Sequence, residues 1–153
     1  MPGDFRRRAL AVMLYAVAMG YLEAAVVAYL RALYGIEDLL RDVPARPDPL
    51  AWVEVGREAA TLLMLWAVGQ AAGQNRPARW GMFLFAWGVW DLAYYLWLRL
   101  LVGFPRTLGD WDLLFLIPLP WWAPVWAPML AAILLAAFGG SVAARAEGGL
   151  PVR

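Results

Sequence analysis

Histidine, cysteine and lysine are all missing from the 153 residues, and each absence removes a kind of chemistry. Without His there is no imidazole base, no His-ligated haem and no usual copper or zinc site. Without Cys there are no disulfides, thiolate metal sites, iron–sulfur clusters or cysteine nucleophiles. All 13 basic residues are Arg, which excludes lysine nucleophiles and Schiff bases. Aliphatic hydroxyls are scarce as well: Ser141, Thr61 and Thr107 are the whole set, and no Ser-His-Asp triad can be assembled. Only Asp, Glu, Tyr, Thr and Arg remain for catalysis, and a metal would have to be a hard cation on oxygen ligands. The chain is therefore expected to be non-catalytic, with no cofactor and no metal. A net charge of +1 gives no reason to expect a nucleic-acid partner.

What is present is apolar. Hydrophobic residues make up 63% of the chain and charged residues 16%, against about 45–50% and about 25% in soluble domains. A chain of this length has no interior large enough for that excess, so a bilayer is the expected sink. One domain over residues 1–153 is expected, an all-α integral membrane bundle of four transmembrane helices. The spans are expected at about 9–33, 50–72, 80–102 and 121–140, each near the roughly 20 apolar residues a crossing needs. Arg6–Arg8 followed by Ala16-Val17-Ala18 has the look of a leader, but the apolar run continues past Ala18, which favours a span. Pro49, with Asp48 as cap, is placed to open the second helix. Pro118, Pro120, Pro124 and Pro128 break the stretch before the last span. Residues 111–118 are therefore expected to form a short interfacial or re-entrant piece. Trp111, Trp121, Trp122 and Trp126 fit an aromatic belt.

Arginine placement gives the orientation. Arg6, Arg7, Arg8, Arg76, Arg79, Arg145 and Arg153 fall on one side with Asp4 and Glu147. Glu37, Asp38, Asp42, Asp48, Asp110 and Asp112 fall on the other with Arg41, Arg46 and Arg106. The positive-inside rule puts both termini in the cytoplasm. The Arg-only basic set and the abundance of Ala, Gly, Pro and Trp fit a GC-rich bacterial genome, hence a bacterial inner membrane. Small residues mark packing faces: Ala16, Gly20, Ala24, Ala28 and Ala32 on the first span, Ala59, Ala67, Ala71, Gly69 and Gly73 on the second, and Ala132, Ala136 and Gly140 on the fourth.

Ionisable residues inside spans are the functional signal, because a charge there costs roughly 2.5–3.5 kcal/mol unless it faces protein or water. Glu23 and Asp91 lie about 16 Å and Glu58 about 12 Å from the outer helix ends, at about 1.5 Å rise per residue. Trp87, Asp91, Tyr95 and Arg99 recur every four residues on one stripe. The expected polar site is Glu23, Glu58, Asp91, Tyr95, Arg57 and Arg99, with an outer rim of Arg31, Arg106, Asp110 and Asp112. The bland expectation is a set of structural salt bridges, such as Glu23 or Glu58 with Arg99. The sharper one is a pocket open to the outer face that binds a small solute or relays protons through Glu23 and Asp91.

A lone glutamate in the first of four spans, Glu23, resembles the small multidrug resistance transporters, in which that residue couples protons to cationic drugs. Longer loops, Asp91 and the proline-broken segment depart from that pattern. Pro120-Trp121-Trp122-Ala123-Pro124 resembles the tryptophan-rich sensory proteins, which have five spans. Thr107-Leu108-Gly109-Asp110 lacks the first Gly of the GxGD motif of intramembrane aspartyl proteases. A broader resemblance is carried by Gly20–Val27, Arg57–Thr61, Gly88–Asp91 and Trp111–Pro118. These segments resemble a group of small bacterial multi-pass membrane proteins of unknown function, which implies the architecture and no activity. Two functions are expected from this sequence. The first is an accessory or structural subunit of a larger membrane complex. The alternative is a solute or proton-coupled transporter or binding protein. Its partners would be membrane lipids and either further copies of itself or that larger complex.

Overall fold

The computed structural model describes residues 2–36 and 49–148, and it is mostly helical (79%). Four helices run over Pro2–Tyr34 (α1), Pro49–Ala72 (α2), Arg76–Val102 (α3) and Trp126–Gly148 (α4). Between α3 and α4 lie two short strands, Trp111–Phe115 (β1) and Trp121–Pro124 (β2). Expectations about Glu37, Asp38, Arg41, Asp42, Arg46, Asp48 and Arg153 lie outside the described residues.

Local chemistry sets the boundaries. The Asn75 side chain accepts the Ala78 N–H at 3.0 Å and caps α3, with Pro77 in the first turn where no intrahelical donor is needed. Gly103 ends α3 at φ 73°, a left-handed turn that Gly adopts freely, and its N–H reaches Arg99 O. α1 begins seven residues before the expected span, so Arg6–Arg8 lie within its first turns.

The last span is where the structure departs from expectation. Residues 121–124 are a strand rather than the start of a helix, and α4 begins at Trp126. Prolines deny the helix its N–H donors here, while Trp, Phe and Leu suit a pleated surface. β1 and β2 pair antiparallel, Trp111 with Pro124 and Asp112 with Ala123, with a register shift between Leu113 and Phe115. Pro124 removes no needed donor, because the N–H that reaches across here belongs to the next residue, Val125, and successive donors alternate sides. Nor does Gly139-Gly140 end α4. A Cβ on Gly139 would lie 2.6 Å from Gly81 O, so this glycine serves a helix contact and the helix runs on to Gly148.

α3 is the central helix and packs on the other three. Gly81 and Gly88 meet Gly139, Ala143, Ala132 and Ala136 of α4 at backbone distance. Gly20 lets α1 approach Trp90 and Tyr94, and Gly69 lets α2 approach Phe83. The core between them holds Val12, Ala16, Met19, Leu65, Met82, Ala86, Trp90 and Ala143. Ala59, Ala67 and Ala71, expected to pack, are exposed instead. Their row faces away from α3 because Thr61, Leu65 and Gly69 occupy the inner face.

The ends of the helices fix an antiparallel order. Arg8 near the start of α1 pairs with Glu147 near the end of α4. Glu147 also accepts Gln74 N–H at 3.0 Å, and Asn75 Nδ2 donates to Ala146 O at 3.0 Å. The start of α1, the α2–α3 turn and the end of α4 thus share one end of the bundle, which collects Arg6, Arg7, Arg8, Arg76, Arg79 and Arg145. The hairpin lies toward the opposite end. Two helices, over Asp4–Tyr34 and Trp126–Gly148, are long and apolar enough to cross a membrane, and no more than a third of either apolar stretch is buried within the chain. α2 and α3 are long enough but do not meet the same combined standard of hydropathy and low charge.

Candidate functional site

Glu54, Arg57, Glu58 and Thr61 stand at i, i+3, i+4 and i+7 on α2, so a single helix face carries all four polar groups. Arg57 Nε donates to Glu54 Oε2 at 2.8 Å, and the same guanidinium forms an ion pair with Glu23 of α1. Thr61 donates its hydroxyl to Glu23. Glu23 is buried, and these two partners satisfy it. It ties α1 to α2.

Glu58 has a different task. Its carboxylate accepts the Leu116 N–H at 2.9 and 3.0 Å, at the tip of the hairpin. At the hairpin base, Val125 N–H reaches Asp110 O and Trp126 N–H reaches Leu108 O, both at 2.9 Å. Between tip and base, buried Asp112 of β1 accepts the Tyr95 hydroxyl at 3.0 Å. Glu58 lies more than two turns inside α2, so the hairpin penetrates well into the bundle, where Phe115 meets the Trp90 ring at 6.5 Å. Replacing Glu58 with Ala leaves the Leu116 N–H without an acceptor, a cost of about 1–3 kcal/mol. Hydrogen exchange at Leu116 should then accelerate by about tenfold or more, while exchange at Ala78 on α3 stays unchanged. Equal protection at Leu116 in both proteins would disprove the latch.

These contacts enclose a partly open cavity of about 440 Å³, within the size range of small-molecule sites. Glu23, Arg57, Glu58, Asp91, Tyr95 and Asp112 all line it, so five of the six residues expected for the polar site, plus one expected for the rim, come together. Trp87, Trp90, Tyr94, Phe115 and Trp121 give aromatic walls, and α4 contributes Ala127, Pro128, Ala131 and Leu135. Among the described residues, Asp91 accepts no hydrogen bond and forms no ion pair. Trp90 is 6% exposed and its indole N–H has no partner, which leaves a buried donor unsatisfied on the cavity wall.

The other expected residues lie elsewhere. Arg99 is two turns beyond Asp91 on α3, exposed, with Nη1 donating to Gly103 O at 2.7 Å and Pro105 O at 2.9 Å. It closes the end of its own helix and meets neither Glu23 nor Glu58. Arg31 rests over the Phe104 ring at 4.2 Å, and with Arg106 it lines a separate hollow at the bundle end. Asp110 accepts the Thr107 hydroxyl and the Arg106 N–H, both at 2.7 Å, holding its own turn together. The Thr107 hydroxyl bond is the main reason its carboxyl lies below the usual value. Asp112, expected on the rim, is inside. Burial raises its carboxyl to about 6 against the opposing pull of the Tyr95 hydrogen bond.

Thr61, Glu54, Trp90 and Tyr94 belong to the site and were not singled out from sequence. The i, i+3, i+4, i+7 spacing on α2 was the available signal for the first two. Among the described residues no group of three or more acidic side chains is arranged to hold a metal. Comparison with protein-family models, curated proteins and solved structures finds no match for this chain.

Proposed function

We propose that the chain is a small-solute-binding protein of a membrane. In this reading it crosses the bilayer four times, with both termini on the cytoplasmic side of a bacterial inner membrane. Four crossings are supported by the antiparallel order of four helices, each at least 23 residues long. They are also supported by apolar side chains turned outward along all of them: Leu14 and Leu22 on α1, Leu63 and Trp66 on α2, Leu96 and Leu100 on α3, Leu134 and Phe138 on α4. Arginines gathered at one end support the orientation. The solute reaches the cavity from the opposite face, past the hairpin.

The observation that carries this reading is an unpaired carboxylate, Asp91, on the wall of a small-molecule-sized cavity. Structural salt bridges consume Glu23 and the hairpin latch consumes Glu58, but neither task uses Asp91. Native mass spectrometry of the chain, released gently from its own membrane, tests the idea. The expected particle contains only this chain, carries a small-molecule adduct, and loses that adduct in Asp91→Asn with abundance unchanged. A particle with other polypeptides at fixed stoichiometry and no adduct would reject it. That second outcome is the subunit reading, favoured by the outward row of Gly56, Ala60, Ala67 and Ala71 on α2, which offers a helix a close approach.

A further inference from the structure

Resting on the solute-binding reading of the same cavity, we infer that the solute is a lipophilic organic cation, an ammonium with an aromatic or branched alkyl body. Its charge sits at Asp91 and its body lies against Trp87, Trp90 and Tyr94.

Charge accounting comes first. Four carboxylates line the cavity against a single guanidinium. Glu23 is neutralised by Arg57, Glu58 is held by a backbone N–H, and Asp112 accepts a phenol. Asp91 has no such partner, and a carboxylate in an apolar enclosure calls for a counter-cation. Arg57 is engaged by both Glu23 and Glu54, so it offers nothing to a carboxylate on a ligand. Amino acids and anions are thereby disfavoured. The walls then choose among cations. A hard metal ion needs six or more oxygens, and among the described residues no three acidic side chains converge to supply them. An ammonium whose hydration shell is already replaced by carbon gains from aromatic faces through cation–π attraction.

Protons should compete with that cation. Facing Asp112 are Arg31 from α1, Asp91, Tyr94 and Tyr95 from α3, and the Leu113 N–H of its own strand. α2 brings Arg57 and Glu58 to the same cavity, and α4 brings no ionisable group. Since burial holds Asp112 near 6, its charge is present above that pH and lost below it. Cation affinity therefore falls as pH drops, because a proton on either Asp91 or Asp112 removes negative charge from the wall that faces the cation.

The test uses the full chain in nanodiscs of zwitterionic lipid, with calorimetric titration of three probes: benzyltrimethylammonium, its uncharged carbon isostere neopentylbenzene, and phenylalanine. The cation should bind at least about tenfold more tightly than the isostere, and phenylalanine should not bind. Asp91→Asn should weaken the cation by about tenfold or more, Asp91→Glu should restore most of it, and lowering pH from 8 to 5 should weaken it severalfold. Trp87→Leu gives the same direction should Asp91→Asn fail to fold. Equal binding of cation and isostere, binding of phenylalanine, or indifference to both substitutions overturns the cation class. If a native adduct nevertheless persists, solute binding survives that failure. Loss of the adduct together with all probe binding removes the solute reading itself.

Discussion

Gly88→Ala will destabilise the protein by about 3 kcal/mol or more, although the substitution adds a single methyl group. Overpacking usually costs about 1–3 kcal/mol, because side chains can shift out of the way. Here they cannot. The new Cβ would lie 2.3 Å from Ala132 O and 2.6 Å from Ala136 N, both backbone atoms of α4. Relief requires the two helices to move apart along their whole contact, since Gly81 makes the same kind of approach to Gly139 O and Ala143 N at 2.7 Å. Ala is the better helix former by about 1 kcal/mol, so the observed loss is already net of that gain. Gly56→Ala is the control. Nothing lies within 4 Å of its Cβ, so the same substitution should be neutral or stabilising by up to about 1 kcal/mol. Unfolding titrations in a single detergent measure both. Equal stability of Gly88→Ala and the parent chain would contradict the α3–α4 contact.

That contact also marks a limit of reading helices from sequence. Small residues at four-residue spacing announce that some helix face packs closely, as Ala16, Gly20 and Ala24 do on α1. They do not say which of two small rows faces inward. On α2 the row of Ala59, Ala67 and Ala71 looked as suitable as Gly69, yet the polar set Glu54–Arg57–Glu58–Thr61 decides the matter by turning its own face inward. Gly81 and Gly88 are seven residues apart, two turns of one face, with a large side chain (Leu84 or Phe85) at the intervening positions, so no four-residue small-residue row marks this face.

The site was readable to the extent that burying a charge is costly. Glu23, Glu58 and Asp91 had to face protein, and all three line one cavity. Their partners were not readable, because that of Glu58 depends on the hairpin and those of Glu23 on which face of α2 meets α1. Proline spacing forbids a helix over 118–124 without specifying what replaces it, whereas Pro128 fits the first turn of α4. A ribbon that penetrates the bundle brings Asp112 inward and gives Glu58 a backbone donor, so Glu58 does not need Arg99, which caps its own helix instead. The tie between Arg8 and Glu147 was legible only as a shared side of the bundle, since which arginine meets Glu147 depends on how α1 packs against α4.

Arg57→Leu will be the most damaging substitution at the cavity, at about 3–5 kcal/mol, because it leaves Glu23 buried without a counter-charge. The side chains of Arg57 and Glu23 are 24% and 9% exposed, so solvent screens neither strongly. Glu23→Gln should cost less, about 1–3 kcal/mol, since Arg57 keeps Glu54 at 2.8 Å and Thr61 can still donate to the amide oxygen. The double variant separates a paired charge from two independent losses. With both groups gone no unmatched charge remains on the α1–α2 contact, so its cost should fall below the sum of the singles by about 1–3 kcal/mol. Strict additivity would mean that the pair does not couple the two helices. The asymmetry between the singles is the more telling result. A lone Arg57–Glu23 pair predicts similar damage from either side, whereas a guanidinium shared between Glu23 and Glu54 makes loss of the arginine much the worse. That sharing is also what keeps Arg57 from serving as an anion site, so the stability measurement and the ligand selectivity stand on the same geometry.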